Sequence, residues 1–277
     1  MASSRAFLQL DPRIQRYLWA ERWGELRDVQ EQAIPLILPG DQDVVVAAST
    51  ASGKTEAAFL PALTHLLGRP DQGLIVYISP LKALINDQFG RLDRLCENLD
   101  VPAWPWHGDI TSSAKRKFVQ KPTGVLLITP ESLEATLCNR GTSIAAQFKQ
   151  TTFFVIDELH AFIGTERGKQ LQTLMHRIEV ALGRTVPRIG LSATLGDISL
   201  AAKFLRSDRP VAMVDASSTG GQLLILVKGF EELSAADRTM SKKDPETERA
   251  PLAIAQHMFK TLRGSNNLVF PNSRREV

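Results

Sequence analysis

Short, nearly unbroken apolar runs recur along this sequence at residues 43–48, 74–79, 101–106, 125–129, 152–157 and 188–192. Longer amphipathic stretches such as 81–99, 131–137 and 169–182 separate them. Few folds accept that alternation. Strands apolar at almost every position are buried on both faces, and the helical patterns between them supply the cover. The chain therefore reads as α/β, with a mostly parallel sheet and helices on both faces. Ligands of such sheets sit beyond the carboxyl ends of the strands, and the residues with the most chemistry fall at those ends.

Composition narrows the class. The chain has 277 residues, 43% apolar and 23% charged, as in an ordinary globular protein with room for one large domain or two small ones. No run approaches the roughly 18 apolar residues of a membrane span. The N-terminal segment MASSRAFLQLDPRIQRYL lacks a signal-peptide core and cleavage site, so a cytoplasmic location is expected. Cys96 and Cys138 lack metal-type spacing and read as reduced thiols. A net charge of +3, from 33 basic and 30 acidic residues, is too balanced to indicate nucleic-acid binding by itself. The run Lys115-Arg116-Lys117 is a candidate contact that reads first as a solvated helix face. Trp104 and Trp106 read as core.

Residues 47–55, AASTASGKT, join the apolar run at 43–48 to a helix-like stretch. In such a loop, backbone N–H groups at a helix N-terminus point at phosphate oxygens. Gly53 allows close backbone approach, Lys54 places charge on the β/γ-phosphates, Thr55 offers a hydroxyl to Mg²⁺, and Ser52 counts with them among the nucleotide-binding residues. Ala48 and Ala51 stand where glycine is common. About a hundred residues on, Asp157-Glu158 closes a β-branched and aromatic run. Asp157 suits Mg²⁺, directly or through water, and Glu158 suits orientation or deprotonation of an attacking water. His160 is placed to bridge that site to Ser192-Ala193-Thr194, whose hydroxyls suit a hydrogen-bond switch. A lone GKT would mean little; with VIDELH and LSAT in order it describes a nucleotide-driven motor.

In this order, ASTASGKT, SPLKAL, TPESL, DELH and SAT resemble motifs I, Ia, Ib/Ic, II and III of superfamily 2 helicases of the DExH type. The wording STASGKTEAAFLPAL, ISPLKALINDQ, ITPESLEATL, VIDELHAFIGTERGKQLQ and GLSATLGD is similar to the large helicase-related (Lhr-like) branch, over roughly residues 25–200. The resemblance implies a RecA-like P-loop NTPase fold and an ATP-dependent helicase or translocase using ATP and Mg²⁺. It implies that Gln30, which alone reads as a helix-surface residue, recognises adenine. It also implies that Pro80, Lys82, Thr129, Pro130 and Glu131 line a nucleic-acid path, with single-stranded DNA favoured over RNA. His107-Gly108-Asp109 falls between those motifs, and Ser273 and Arg274 fall where motif IV would approach the strand.

The organisation expected is an N-terminal helical region over 1–42 carrying the adenine-reading motif, a first RecA-like ATP-binding domain over 43–215, and a linker with the start of a second RecA-like domain over 216–277. In that last segment, strands are expected at 223–227 and 268–270, a helix at 251–262, and an exposed loop at 234–250. Family members hydrolyse ATP between two RecA-like domains, with arginine fingers from the second. Residues 1–277 alone are therefore expected to bind ATP–Mg²⁺ weakly and turn it over poorly. Two other readings stay open: a non-catalytic nucleic-acid-binding or scaffold module, and a translocase subunit of a nuclease or defence complex.

Overall fold

The computed structural model describes residues 4–49, 52–69, 73–106, 112–139, 141–193, 197–216, 225–230, 250–264, 266–267 and 269. The chain divides into two compact units, Met1–Gly220 and Gly221–Val277.

The first unit opens with α1 (Arg5–Gln9), α2 (Pro12–Ala20) and α3 (Asp28–Ile37). Asp11 caps α2 through Arg13 N–H, with Pro12 at the first helical position, where a missing N–H costs nothing. Pro35, which reads as punctuation before the first strand, lies inside α3. The apolar residues Val29, Ala33, Ile34 and Ile37 recur at helical spacing and are buried, so packing overrides the local breaker.

Seven parallel strands follow: β1 (Asp43–Ala48), β2 (Leu74–Ile78), β3 (Ala103–Trp106), β4 (Gly124–Ile128), β5 (Thr151–Ile156), β6 (Arg188–Ser192) and β7 (Val211–Ala216). Their order is β3-β4-β2-β5-β6-β1-β7, and every pairing is parallel. Between them run α4 (Lys54–Leu67), α5 (Lys82–Asn98), α6 (Ser112–Gln120), α7 (Pro130–Asn139), α8 (Ile144–Phe148), α9 (Glu166–Leu182) and α10 (Ile198–Leu205). Alternate strand residues enter opposite cores, as a period of two requires. Val44, Val46, Ile75, Tyr77, Phe153 and Val155 pack on one face. Val45, Val76, Ile78, Phe154 and Ile156 pack on the other. At the sheet margin, Phe118 of α6 meets Trp104 and Trp106 edge-on, and Lys115 lies over the Trp106 ring, so both tryptophans serve packing.

β7 escapes a search for continuous apolar runs. Among the described residues it pairs only with β1, and its Met213 and Asp215 face outward, which gives it a half-exposed pattern. In the second unit α11 (Ala250–Leu262) forms over the stretch expected to be helical. The strand expected at 223–227 is not formed at residues 225–227, which are exposed and irregular. A strand needs a neighbour to pair with, and no ladder among the described residues includes this segment. The expected strand at 268–270, and Ser273 and Arg274, lie outside the described residues apart from Val269.

At the amino ends of β1 and β6 a buried ion cluster joins four elements. Arg206 donates to Asp43 (2.9 Å) and to Glu179 (2.9 and 3.2 Å), and Arg188 donates to Glu179 (2.7 Å). Arg188 N–H also reaches Asp43, and Val186 N–H reaches Glu179. Burial alone would raise the Glu179 carboxyl. The Arg206 and Val186 hydrogen bonds and the Arg188 charge outweigh that and hold it below its ordinary 4.5. Removing one partner of such a cluster strands the others, so Glu179→Gln is expected to cost about 3–5 kcal/mol. That loss should appear as a drop in Tm of roughly 10 °C in a thermal melt. Because the folded carboxyl is lowered, its contribution is complete above the ordinary carboxylate range and fades as pH falls through the folded value. The gap between wild type and variant should therefore narrow on acidification.

Candidate active site

The strand order brings the sequence motifs together. β6 lies between β1 and β5, so the loops after all three open on one edge of the sheet, with Ala47 in register with Ser192 and Ile156 with Gly190. A cleft of about 540 Å³ there is lined by Gln30, Gly53, Lys54, Thr55, Asp157 and Glu158, together with Trp23, Arg27 and Arg91.

Gly53 precedes α4 with φ 89°, and a Cβ built on it would lie 2.5 Å from Gln30 Nε2. The positive φ favours glycine, whereas the close neighbour is the movable end of the Gln30 side chain. Gln30 is buried. Its Oε1 accepts from Arg27 N–H (3.0 Å), and its Nε2 donates to the Gly53 carbonyl (3.3 Å). The side chain thus braces the phosphate loop from α3, and the helix-surface reading of the isolated residue does not hold. Lys54 Nζ donates to the Ala48 and Ser49 carbonyls, both at 2.8 Å. Burial lowers its pKa, while Glu158 and Asp157 push back up. Ser52 Oγ is buried without a hydrogen-bond partner among the described residues.

Asp157 follows β5, with its N–H tied to the Ile78 carbonyl (2.9 Å). Its Oδ1 accepts from Glu158 N–H (2.9 Å), and its Oδ2 accepts from the Tyr77 hydroxyl. Tyr77 is fully buried in β2, and burial together with the Asp157 charge holds its phenol well above the ordinary 10, so it stays a donor. In sequence Tyr77 passes as one more apolar strand residue. The available signal was its polar tip, which needs a partner when buried. Glu158 sits at φ 48°, ψ 49°, a left-handed conformation that costs a non-glycine residue about 1–3 kcal/mol. Its carboxylate lies 3.3 Å from His160 Nδ1, which is also 3.4 Å from Ser192 Oγ. The histidine therefore spans the acidic pair and the buried end of β6. Thr194 and His107-Gly108-Asp109 lie outside the described residues.

A second set of loops follows β2 and β4, which are neighbours beyond β5. Pro80 follows β2, and the exposed Lys82 opens α5. Thr129 is buried before α7 and accepts from Ser132 N–H (3.3 Å), with Pro130 at the helix start. Glu131, in the first turn, receives Arg167 Nε (2.6 Å) and Nη2 (3.0 Å), and that Nη2 also donates to the Pro80 carbonyl (2.6 Å). Burial would raise the Glu131 carboxyl, but the Arg167 hydrogen bond, with help from its own helix N–H, brings it below the ordinary 4.5. Arg167 lay within the family-like wording ERGKQLQ without an assigned role. Among the described residues no helix is long and apolar enough to cross a membrane.

A parallel sheet of this order, with a glycine-turned loop after β1 and an acidic pair after β5, defines a RecA-like P-loop protein. The DEAD/DEAH box helicase family profile matches residues 27–201, and the chain belongs to that family. It is 30% identical over 250 residues to the ATP-dependent helicase Lhr-Core of Methanothermobacter thermautotrophicus, covering 79% of this chain and 28% of that protein. It is 30% identical over 263 residues to the Lhr helicase/uracil glycosylase of Escherichia coli, covering 84% of this chain and 17% of that protein. The solved structure of Mycobacterium smegmatis helicase Lhr bound to ssDNA and AMP-PNP superposes with a TM-score of 0.66 at 27% identity, over 76% of this chain and 28% of that one. The chain thus spans less than a third of the length of these relatives.

Proposed function

We propose that this chain is the motor domain of an ATP-dependent nucleic-acid helicase that tracks single-stranded DNA. The observation that carries the reading is the convergence of Gly53-Lys54-Thr55, Asp157-Glu158 and the His160–Ser192 pair on three adjacent strand ends, beside a second loop set on β2 and β4. The residues fit ATP–Mg²⁺: Ser52 Oγ is a buried polar atom without a hydrogen-bond partner among the described residues, and Gly53, at positive φ, turns the loop into α4. One buried carboxylate and one hydroxyl, Asp157 and Thr55, suit Mg²⁺, which keeps several waters and takes phosphate oxygens. Bound there, the ion would neutralise charge on the transferring phosphoryl group.

The chain's own residues divide the remaining work. Gln30 reads adenine while bracing Gly53. Lys54 holds phosphate oxygens, Glu158 orients and deprotonates the attacking water, and His160 relays the state of that site to Ser192 and Thr194. Pro80, Lys82, Thr129, Pro130 and Glu131 form the nucleic-acid path, whose contacts fix position on the backbone without reading bases. The single-stranded DNA bound to the M. smegmatis relative favours DNA here. Residues 1–42 serve as the adenine-reading region, 43–215 as the first RecA-like domain, and 216–277 as the linker and beginning of a second. A cytoplasmic location fits an enzyme of this kind.

The test is steady-state ATP hydrolysis by the full-length protein with and without matched DNA and RNA oligonucleotides. Several-fold stimulation by single-stranded DNA is expected, with weaker stimulation by RNA. Hydrolysis indifferent to both would sink the proposal.

A further inference from the structure

We infer that Arg167 is a positioning residue that couples the nucleic-acid path to the hydrolysis loop, and that Glu131 acts on nucleic acid through it. The inference rests on the reading of Pro80 and Glu131 as part of a nucleic-acid path.

The start of α9 is fused to the turn that follows Glu158. Thr165 caps the helix through Gly168 N–H (3.0 Å) and donates its own hydroxyl to the Phe162 carbonyl (2.9 Å). A Cβ on Gly168 would lie 1.9 Å from that same carbonyl oxygen, so backbone packs directly on backbone. Phe162 is fully buried and closes the short 3₁₀ turn Leu159–Ala161 that Glu158 begins. From this unit Arg167 projects over the Phe162 ring, with its guanidinium carbon 5.5 Å from the centroid. Its fork grips both oxygens of Glu131 and the carbonyl of Pro80. One planar cation therefore binds the loops after β5, β4 and β2 together.

The chemistry favours coupling over direct phosphate contact. A carboxylate at a phosphate path repels what the path must hold, unless a cation engages it. Glu131 is engaged by a bidentate pair, the geometry for which arginine is better suited than lysine. With Glu131 neutralised and Pro80 held, the first turn of α7 keeps Thr129 and its neighbouring N–H groups aligned for a backbone. A shift of the Glu158 turn must move Arg167 and so both path loops; the reverse also follows, since coupling between sites is reciprocal.

The experiment uses the full-length protein and fluorescent single-stranded DNA. Arg167→Ala is expected to raise the half-saturating DNA concentration for ATPase stimulation by about tenfold, the scale of a charge-assisted pair. Turnover at saturating DNA should fall far less. The slope of log affinity against log salt should stay at the wild-type value, because no phosphate contact is lost. Arg167→Lys, which keeps the charge and loses the fork, should show the same split to a smaller degree, and it serves as the folded control. The double variant Arg167→Ala with Glu131→Gln should be no worse than Arg167→Ala alone.

A salt slope lowered by about one would make Arg167 a phosphate ligand and overturn the inference. Additive effects of the two substitutions would also overturn it, as would a wild-type DNA requirement in Arg167→Ala. If the wild-type protein itself ignores nucleic acid, the underlying functional reading falls with it.

Discussion

Glu158→Gln in the full-length protein is expected to lower kcat for ATP hydrolysis by about 10²–10⁴, the range of a general base, while leaving nucleotide affinity equal or higher. The substitution keeps the size and planarity of the side chain and removes its basicity. The neighbouring acid cannot take over. Both oxygens of Asp157 already accept hydrogen bonds, from Glu158 N–H and from the Tyr77 hydroxyl, and its side chain is buried. Glu158 instead is held outward by its left-handed backbone, with its carboxylate against His160. A neutral amide there also repels phosphate less, so binding should not weaken. Steady-state turnover and a fluorescent-nucleotide titration read the two quantities separately. A variant within about tenfold of wild type in kcat would remove Glu158 from the base role.

The placement of these adjacent carboxylates at a strand end was legible in the sequence, because strand ends, acidic pairs and glycine turns are local signals. Six of the seven strands announce themselves as continuous apolar runs, and five of these are followed by a motif at the carboxyl end. β7 does not, since its outward-facing Met213 and Asp215 alternate with the buried Val214 and Ala216 and Asp215 breaks the run. The residues that went unseen are those whose partners are distant in sequence. Tyr77 matters because of Asp157, and Arg167 matters because of Glu131 and Pro80, contacts that only the order of parallel strands creates. Gln30 lies between the two cases. Its position in α3 suggests a surface amide, and the family likeness pointed to adenine. The contact with Gly53 explains why an amide, able to accept from Arg27 and donate to the loop at once, fits that place.

Lys54→Ala should show the complementary defect: loss of nucleotide affinity together with turnover, amounting to about 10²–10³ or more in kcat/KM. The ammonium is half-buried and its pKa is lowered by that burial, so its charge is poorly hydrated and correspondingly strong toward a phosphate. The Ala48 and Ser49 carbonyls hold it at 2.8 Å each, which positions the charge at the mouth of the loop. Alanine removes the charge and leaves two carbonyls without their donor, a cost of about 1–3 kcal/mol for each that stays buried. Loop disorder and charge loss therefore need separating, and Lys54→Met does so. Methionine fills the same channel without charge, so it should retain more thermal stability than alanine while binding nucleotide no better. If Lys54→Met instead bound a fluorescent ATP analogue with wild-type affinity, the lysine would be a strut for the Ala48–Ser49 turn and not a phosphate ligand. Recovery of stability without recovery of binding is the outcome that assigns the charge to the nucleotide.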